Sequence, residues 1–289
     1  MSDLKIYEEM TIGVVGAGFV GKATSLFKGS SINSLVYDLE KEKCSPEVSQ
    51  LSDLKECDLV FICLPTPMNE DGACHTKIIE DCILDLEKAG IDKEDIIVRS
   101  TVPVGFCDSM NVNFMPEFLT ESNWKVDFKN NDAWVFGLHD REDEATKNKL
   151  TNLITLAKKY GKIKYSDKFF CSTQEAELVK LARNSFLACK VSFFNEIQEF
   201  ANKKDCDYDT VSFLVGIDKR IGSSHTQVPG PDGKKGFGGT CFPKDISSLE
   251  RQMTDAKMES YILEAAKARN LQIDRPEEDW KNDSGRAVI

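Results

Sequence analysis

Apolar positions in the N-terminal half of the chain come in short blocks. Met10-Thr11-Ile12-Gly13-Val14-Val15, Ser34-Leu35-Val36-Tyr37, Asp58-Leu59-Val60-Phe61-Ile62-Cys63-Leu64, Asp95-Ile96-Ile97-Val98-Arg99-Ser100, Trp134-Val135-Phe136-Gly137 and Ile163-Lys164-Tyr165 read as strands, and the intervening segments 76–89 and 142–160 carry helical patterning. Such alternation predicts an α/β fold with a parallel, doubly wound sheet. The pattern changes after about residue 170. Ser172-Thr173-Gln174-Glu175 is a capping-box sequence, and from there to Lys203 apolar residues stand at Ala176, Val179, Leu187, Val191, Phe194 and Ile197 with no Gly or Pro. One helix of roughly thirty residues is predicted, about 45 Å long, with a buried apolar face along Val179 to Ile197. That length suits a helix connecting domains or subunits. Helical stretches follow at 208–216 and 245–270, around a glycine-dense segment from Gly222 to Thr240, and the charged stretch from Asp274 reads as a loosely held tail.

Composition narrows the function classes. A chain of 289 residues holds about two domains, and 41% hydrophobic with 29% charged residues is ordinary for a globular protein. No apolar run approaches the roughly 18 residues of a membrane-spanning helix. Lys and Arg number 37 against 48 Asp and Glu, a net charge of −11, so the overall field disfavours nucleic-acid and membrane-surface partners while leaving room for a small anionic ligand in a locally positive pocket. The opening Met1-Ser2-Asp3-Leu4-Lys5 lacks a basic region followed by an apolar stretch, which points to a cytoplasmic, reducing location. The ten cysteines include no C-x-x-C pair and the histidines number three, so no metal site is expected and most thiols read as small buried or surface groups.

The first chemical signal is Gly16-Ala17-Gly18-Phe19-Val20-Gly21, which follows a strand and opens a helix. Gly16 permits the tight turn, Gly18 lets backbone N–H groups approach a pyrophosphate, Gly21 allows close packing, and Phe19 and Val20 begin the helix whose positive end faces the anion. Asp38 ends the second strand twenty residues after Gly18, where a carboxylate accepts from ribose hydroxyls and favours NAD over NADP. Thr66, Ser100 and Thr101 lie in turns at the carboxyl ends of strands, where ligands gather in such sheets; turn chemistry alone also places Ser and Thr there. This Rossmann-type reading gives three segments: an NAD-binding domain over 1–168, a helical central domain over 169–273 and a flexible tail over 274–289.

The second signal is Gly236-Phe237-Gly238-Gly239-Thr240-Cys241-Phe242-Pro243-Lys244-Asp245. Small residues give access to the Cys241 sulfur, and a cation or helix N-terminus nearby favours a reactive thiolate. A buried, inert thiol remains the alternative on these residues alone.

The order of motifs resembles the UDP-glucose/GDP-mannose dehydrogenase family over residues 11 to about 270. The resemblance rests on the glycine turn at 16–21, Leu64-Pro65-Thr66-Pro67, Ser100-Thr101-Val102-Pro103-Val104-Gly105, Met115-Pro116-Glu117-Phe118-Leu119-Thr120-Glu121-Ser122, Glu175-Ala176-Glu177-Leu178-Val179-Lys180-Leu181-Ala182-Arg183-Asn184, Phe194-Asn195-Glu196, Arg220-Ile221-Gly222 and the Cys241 loop. It implies a four-electron oxidation of a nucleotide-sugar C6 alcohol to a carboxylate with two NAD in succession, UDP-glucose to UDP-glucuronate above all. On this resemblance Cys241 carries a thiohemiacetal and then a thioester, and Lys180 and Asn184 stabilise the oxyanion. Glu121 does general-base work and also borders the cofactor with Thr101, while Thr101 and Asp245 position water. Glu117, Phe118, Leu119, Phe237, Gly238 and Gly239 meet the substrate, Arg220 reaches it across a dimer contact, and a homodimer through the long helix is expected.

Three departures accompany the match. The interval from Gly21 to Leu64 is compact for the family, Thr120 stands where an arginine is common, and the usual third, nucleotide-binding domain has no counterpart before Ile289. Two further readings therefore stand beside the four-electron enzyme: a two-electron hydroxyacid-type dehydrogenase, which needs no cysteine, and an NAD-binding homologue that is non-catalytic or depends on a partner.

Overall fold

The computed structural model describes residues 9–289. The strands are β1 (Met10–Val15), β2 (Ile32–Tyr37), β3 (Leu59–Ile62), β4 (Ile96–Val98), β5 (Asn113–Phe114), β6 (Trp134–Leu138) and β7 (Lys168–Ser172). The helices are α1 (Phe19–Thr24), α2 (Lys77–Lys88), α3 (Phe106–Met110), α4 (Trp124–Lys129), α5 (Glu144–Lys159), α6 (Thr173–Lys203), α7 (Tyr208–Ile217), α8 (Phe242–Asp255) and α9 (Tyr261–Arg269). Two compact units result. One runs to Thr66 and resumes over Thr76–Lys180; the other holds Pro67–His75 and Leu181–Ile289. The division falls inside α6, not at 168/169, and a hairpin from the first half of the chain joins the second unit.

The first unit is one α/β sheet in the order β2-β1-β3-β4-β5-β6-β7. Strand β3 is buried at every position, as expected for a central parallel strand covered on both faces. The order reverses between β1 and β3, so the turns after these two strands flank the topological switch point, where ligands of such sheets bind. Helix α2 buries Ile79, Cys82, Ile83 and Leu86, an i, i+3, i+4, i+7 stripe. On the other face Phe27, Phe128 and Trp134 pack with ring centroids 4.8–5.3 Å apart.

Several expectations need correction. The sheet is not wholly parallel, because β5, unread in the sequence at two residues, pairs antiparallel with β6 through Phe114 and Gly137. Ile163-Lys164-Tyr165 is no strand: the Lys164 N–H goes to Lys129 O at 2.8 Å and Tyr165 O accepts from the Trp134 indole at 3.0 Å, and the strand beside β6 is β7 instead. The segment 245–270 is two helices. Helix α8 ends in a Schellman motif, with Lys257 N–H to Thr254 O at 2.9 Å and Met258 N–H to Met253 O at 2.8 Å, and Lys257 at φ 59° takes the left-handed place usually given to glycine.

In the second unit α6 does begin with the capping box: the Ser172 N–H donates to Glu175 at 2.7 Å and the Glu175 N–H to Ser172 Oγ at 3.2 Å. Its buried residues match those expected in part. Phe194 lies inward against Tyr208 and Val228, and Ala176 is buried with Val191 and Ile197 half-buried, whereas Val179 is 37% exposed and Ala188, not among the expected residues, packs with Phe237 and Ile246. The stretch from Asp274, expected to hang loosely, is packed. Arg275, Trp280 and Ala287 are buried, and Met68 N–H bonds Ala287 O at 2.9 Å, tying the end of the chain to the hairpin.

Candidate active site

At the carboxyl edge of β1, Gly16 adopts φ 96°, which a side chain would strain, and a Cβ on Gly21 would stand 1.8 Å from Gly16 O. Among the described residues no side chain caps α1, and a Cβ on Gly18 would meet nothing within 4 Å, so the first turn of α1, with Phe19 and Val20, opens onto free space. Asp38 directly follows β2 beside this turn, and its carboxylate accepts the Ala17 N–H at 2.7 Å and the Glu40 N–H at 3.0 Å. A carboxylate has about four acceptor positions, so ribose hydroxyls can still be met. Open helix-start donors, a glycine-rich turn whose one side chain is the buried Ala17 methyl, and an adjacent acid fit a dinucleotide pyrophosphate and ribose. Thr66, Ser100 and Thr101 are buried at the same edge of the sheet, Ser100 donating to Leu64 O at 2.6 Å.

The family-motif carboxylate Glu117 is 5% exposed and pairs with Lys180, itself 2% exposed. The Lys180 ammonium donates to Glu117 O at 2.8 Å and to its Oε1 at 2.5 Å, while Glu117 Oε2 accepts the Leu119 N–H at 2.8 Å. An isolated charge would not survive such burial, so each fixes the other. Phe118 and Leu119 are half-buried next to Glu117, and Glu121 is exposed.

Two residues of this unit escaped the sequence reading. Glu177 is fully buried on α6 and accepts the Gly105 N–H at 2.6 Å and the Cys107 N–H at 2.8 Å, holding the Ser100–Gly105 turn and the start of α3. Arg99 is 2% exposed, donates from Nη1 to Thr24 Oγ1 at 3.1 Å, and leaves its Nε without a hydrogen-bond partner among the described residues. A charged residue closing the apolar run Ile96-Ile97-Val98 was the available signal for Arg99; nothing local marks Glu177.

In the second unit Cys241 is half-buried and occupies the N-cap position of α8, directly after the glycine loop, with Pro243 in the first turn. Asp245, 1% exposed, is held from two sides: Asn184 Nδ2 donates to Oδ2 at 2.6 Å and Lys244 Nζ to Oδ1 at 2.6 Å. Burial opposes the charge on Lys244, yet Asp245 and the sulfurs of Cys241 and Cys74 outweigh it and push its pKa up. The ammonium therefore sits in the field of the thiol loop. Asn184 and Lys180 stand one helical turn apart on α6, both buried. Phe237 is buried, Gly238 half-buried and Gly239 exposed. Arg220 is exposed and pairs with Asp218 at 2.6 Å. Asn270 and Arg275, also unread in the sequence, hold the glycine loop through Phe237 and Asp232. Among the described residues no group of three or more His, Cys, Asp or Glu could hold a metal ion, and no helix is long and apolar enough to cross a membrane.

Comparison with known proteins fits this arrangement. Residues 35–155 match the NAD binding domain of the UDP-glucose/GDP-mannose dehydrogenase family, and residues 174–272 match its central domain. A UDP-glucose 6-dehydrogenase of Rickettsia typhi is 30% identical over 89% of this chain, and the chain spans 65% of that relative's length. Among solved structures, a UDP-glucose dehydrogenase from the archaeon Pyrobaculum islandicum superposes with a TM-score of 0.79 at 25% identity, covering 92% of this chain and 69% of its own. A 3-hydroxyisobutyrate dehydrogenase from Mycobacterium tuberculosis shares the fold at TM-score 0.66 and 17% identity, covering 89% of this chain and 91% of its own. The architecture is thus common to both kinds of dehydrogenase, and the residues must separate them.

Proposed function

The chain belongs to the UDP-glucose/GDP-mannose dehydrogenase family, and from that premise we propose that it is an NAD-dependent nucleotide-sugar 6-dehydrogenase that oxidises UDP-glucose to UDP-glucuronate. The observation that carries the proposal is Cys241 at the head of α8, behind a glycine loop and beside the Lys244–Asp245 pair. A two-electron alcohol dehydrogenase has no use for a thiol so placed, whereas oxidation through to a carboxylate requires the aldehyde to be captured and re-presented as a secondary alcohol.

Bound NAD would supply the hydride acceptor for each of the two oxidations. The chain's own residues account for the rest. The Lys180 ammonium and the Asn184 amide donate toward the negative charge that develops on the reacting oxygen, and Glu117 keeps the ammonium charged and aimed. Cys241 adds through Sγ to the aldehyde carbon, forming a C–S bond, and the carbonyl oxygen takes a proton to give the thiohemiacetal. Its oxidation leaves a thioester on Cys241. Water, oriented by Thr101 and Asp245 with Glu121 as general base, attacks that carbon; the C–S bond breaks, the carboxylate departs and the thiol is regenerated. The start of α8 and the Lys244 ammonium both favour the thiolate needed for the addition.

The substrate is proposed to lie against Phe118, Leu119, Phe237, Gly238 and Gly239, with Arg220 meeting the diphosphate of a substrate held by a second copy. The test is Cys241→Ser assayed with NAD against UDP-glucose, UDP-N-acetylglucosamine, UDP-N-acetylmannosamine and GDP-mannose. Loss of acid formation with retained NAD binding by thermal shift is expected; full retention of acid formation sinks the proposed chemistry. A wild-type chain that binds NAD and turns over no sugar nucleotide would instead make it a non-catalytic or partner-dependent homologue.

A further inference from the structure

Four links join the glycine loop to the segment that follows α9. Asn270, 1% exposed, accepts the Phe237 N–H on Oδ1 at 2.8 Å and donates from Nδ2 to Phe237 O at 2.9 Å, so one side chain captures both backbone polar groups of that residue. Arg275, 4% exposed, lies against Gly238: a Cβ there would stand 2.4 Å from Cζ and 2.7 Å from Nε. Its guanidinium cannot easily yield, being gripped by Asp232 at 2.7 Å and by Asp279 at 2.6 and 2.8 Å. Lys234 closes the set on Asp279 at 2.7 Å. The π-helical turn Asn270–Asp274 brings the two holding residues to the loop together, with the Arg275 N–H on Asn270 O at 2.8 Å. Gly238 has no left-handed φ, so the close approach of the guanidinium is the structural reason a side chain is excluded there.

We propose that Asn270 and Arg275 are positioning residues for the proposed oxidation: they set the backbone of Phe237 and Gly238, and through it the place of the Cys241 sulfur three residues on. The proposal rests on the function assigned to Cys241 above. Neither residue touches the reacting atoms. A displacement of about 1 Å in a reacting group can cost on the order of a hundredfold in rate, so the clamp acts on kcat while leaving KM for NAD alone. The guanidinium plane matters as well as the charge, because a lysine cannot engage both oxygens of Asp279 and reach Asp232 at once.

The full chain decides this through readouts that do not require turnover. The alkylation rate of Cys241 by iodoacetamide is measured by peptide mass spectrometry relative to that of Cys206, an exposed thiol of the same chain, together with hydrogen exchange at the Phe237 amide. Arg275→Ala and Asn270→Ala are expected to change the Cys241-to-Cys206 ratio about tenfold and to speed Phe237 exchange, with kcat falling and KM for NAD unchanged. Gly238→Ala is expected to perturb the ratio alone but to add nothing to Arg275→Ala, because the clash partner is then gone. If Arg275→Ala does not fold, Arg275→Lys is read in the same way. Unchanged ratios in folded variants, or strictly additive effects of Gly238→Ala and Arg275→Ala, overturn the proposal. A chain that shows these dependences yet oxidises no sugar nucleotide overturns the assigned function and keeps the clamp; a chain that oxidises UDP-glucose while the variants leave Cys241 unaltered does the reverse.

Discussion

Ten cysteines occur in the chain, and their surroundings sort them. Burial pushes the thiols of Cys57 and Cys82 up to about 12 and raises those of Cys63 and Cys107 as well. In the folded protein at pH 8, iodoacetamide is therefore expected to spare Cys57, Cys82 and Cys107 and to modify Cys241; labelling of the three at the rate of Cys206 would contradict the packing described. The Glu117–Lys180 pair gives a second expectation at this scale. Glu117→Gln leaves a buried ammonium without its counter-charge and should cost about 3–5 kcal/mol in urea unfolding, far above a surface ion pair. Cys241 stood out in the sequence because glycines, Lys244 and Asp245 lie next to it in the chain. Glu117 and Lys180 are 63 residues apart, and only the family resemblance singled them out. Glu177, Asn270 and Arg275 carried no local sign, since what each does is fixed by partners distant in sequence.

Among the elements, α6 and the glycine turn after β1 were legible because their signals are local: a capping box, an unbroken run without Gly or Pro, and three glycines at fixed spacing. Strand β5 was missed because two residues carry no periodicity, and the break between α8 and α9 because Lys257, not glycine, takes the left-handed position. Glu177 shows how one buried side chain serves two elements. Glu177→Ala strips the Gly105 and Cys107 N–H groups of their acceptor and should lower stability by about 1–3 kcal/mol in thermal or urea unfolding. The loop clamp has a pH signature. Hydrogen bonding from Arg275 holds the Asp279 carboxyl well below the usual carboxylate range. A depressed folded-state pKa contributes stability above the ordinary value near 4, and that stability is lost as pH falls below it. Phe237 exchange, corrected for its intrinsic rate, should thus stay flat from about pH 8 to 5 and rise below about 4. Asp279→Asn should remove that dependence, and a rise already under way near pH 6 would contradict it.

For the whole molecule, the exposed aromatics of α6 bear on assembly. Phe186, Phe193 and Phe200 recur every seven residues at 56–67% exposure, and on α7 Phe213, Leu214 and Ile217 are also exposed. Exposed apolar side chains in this number support the proposed homodimer through α6. Phe193→Glu is expected to shift sedimentation from dimer to monomer, and a monomeric wild-type chain would refute the proposed assembly. The central claim is that this chain completes a four-electron oxidation on Cys241, and its most direct test is the yield of NADH from a limiting amount of UDP-glucose. Two NADH per sugar, with UDP-glucuronate as product, is the predicted result; one NADH per sugar, with an aldehyde released, would contradict it.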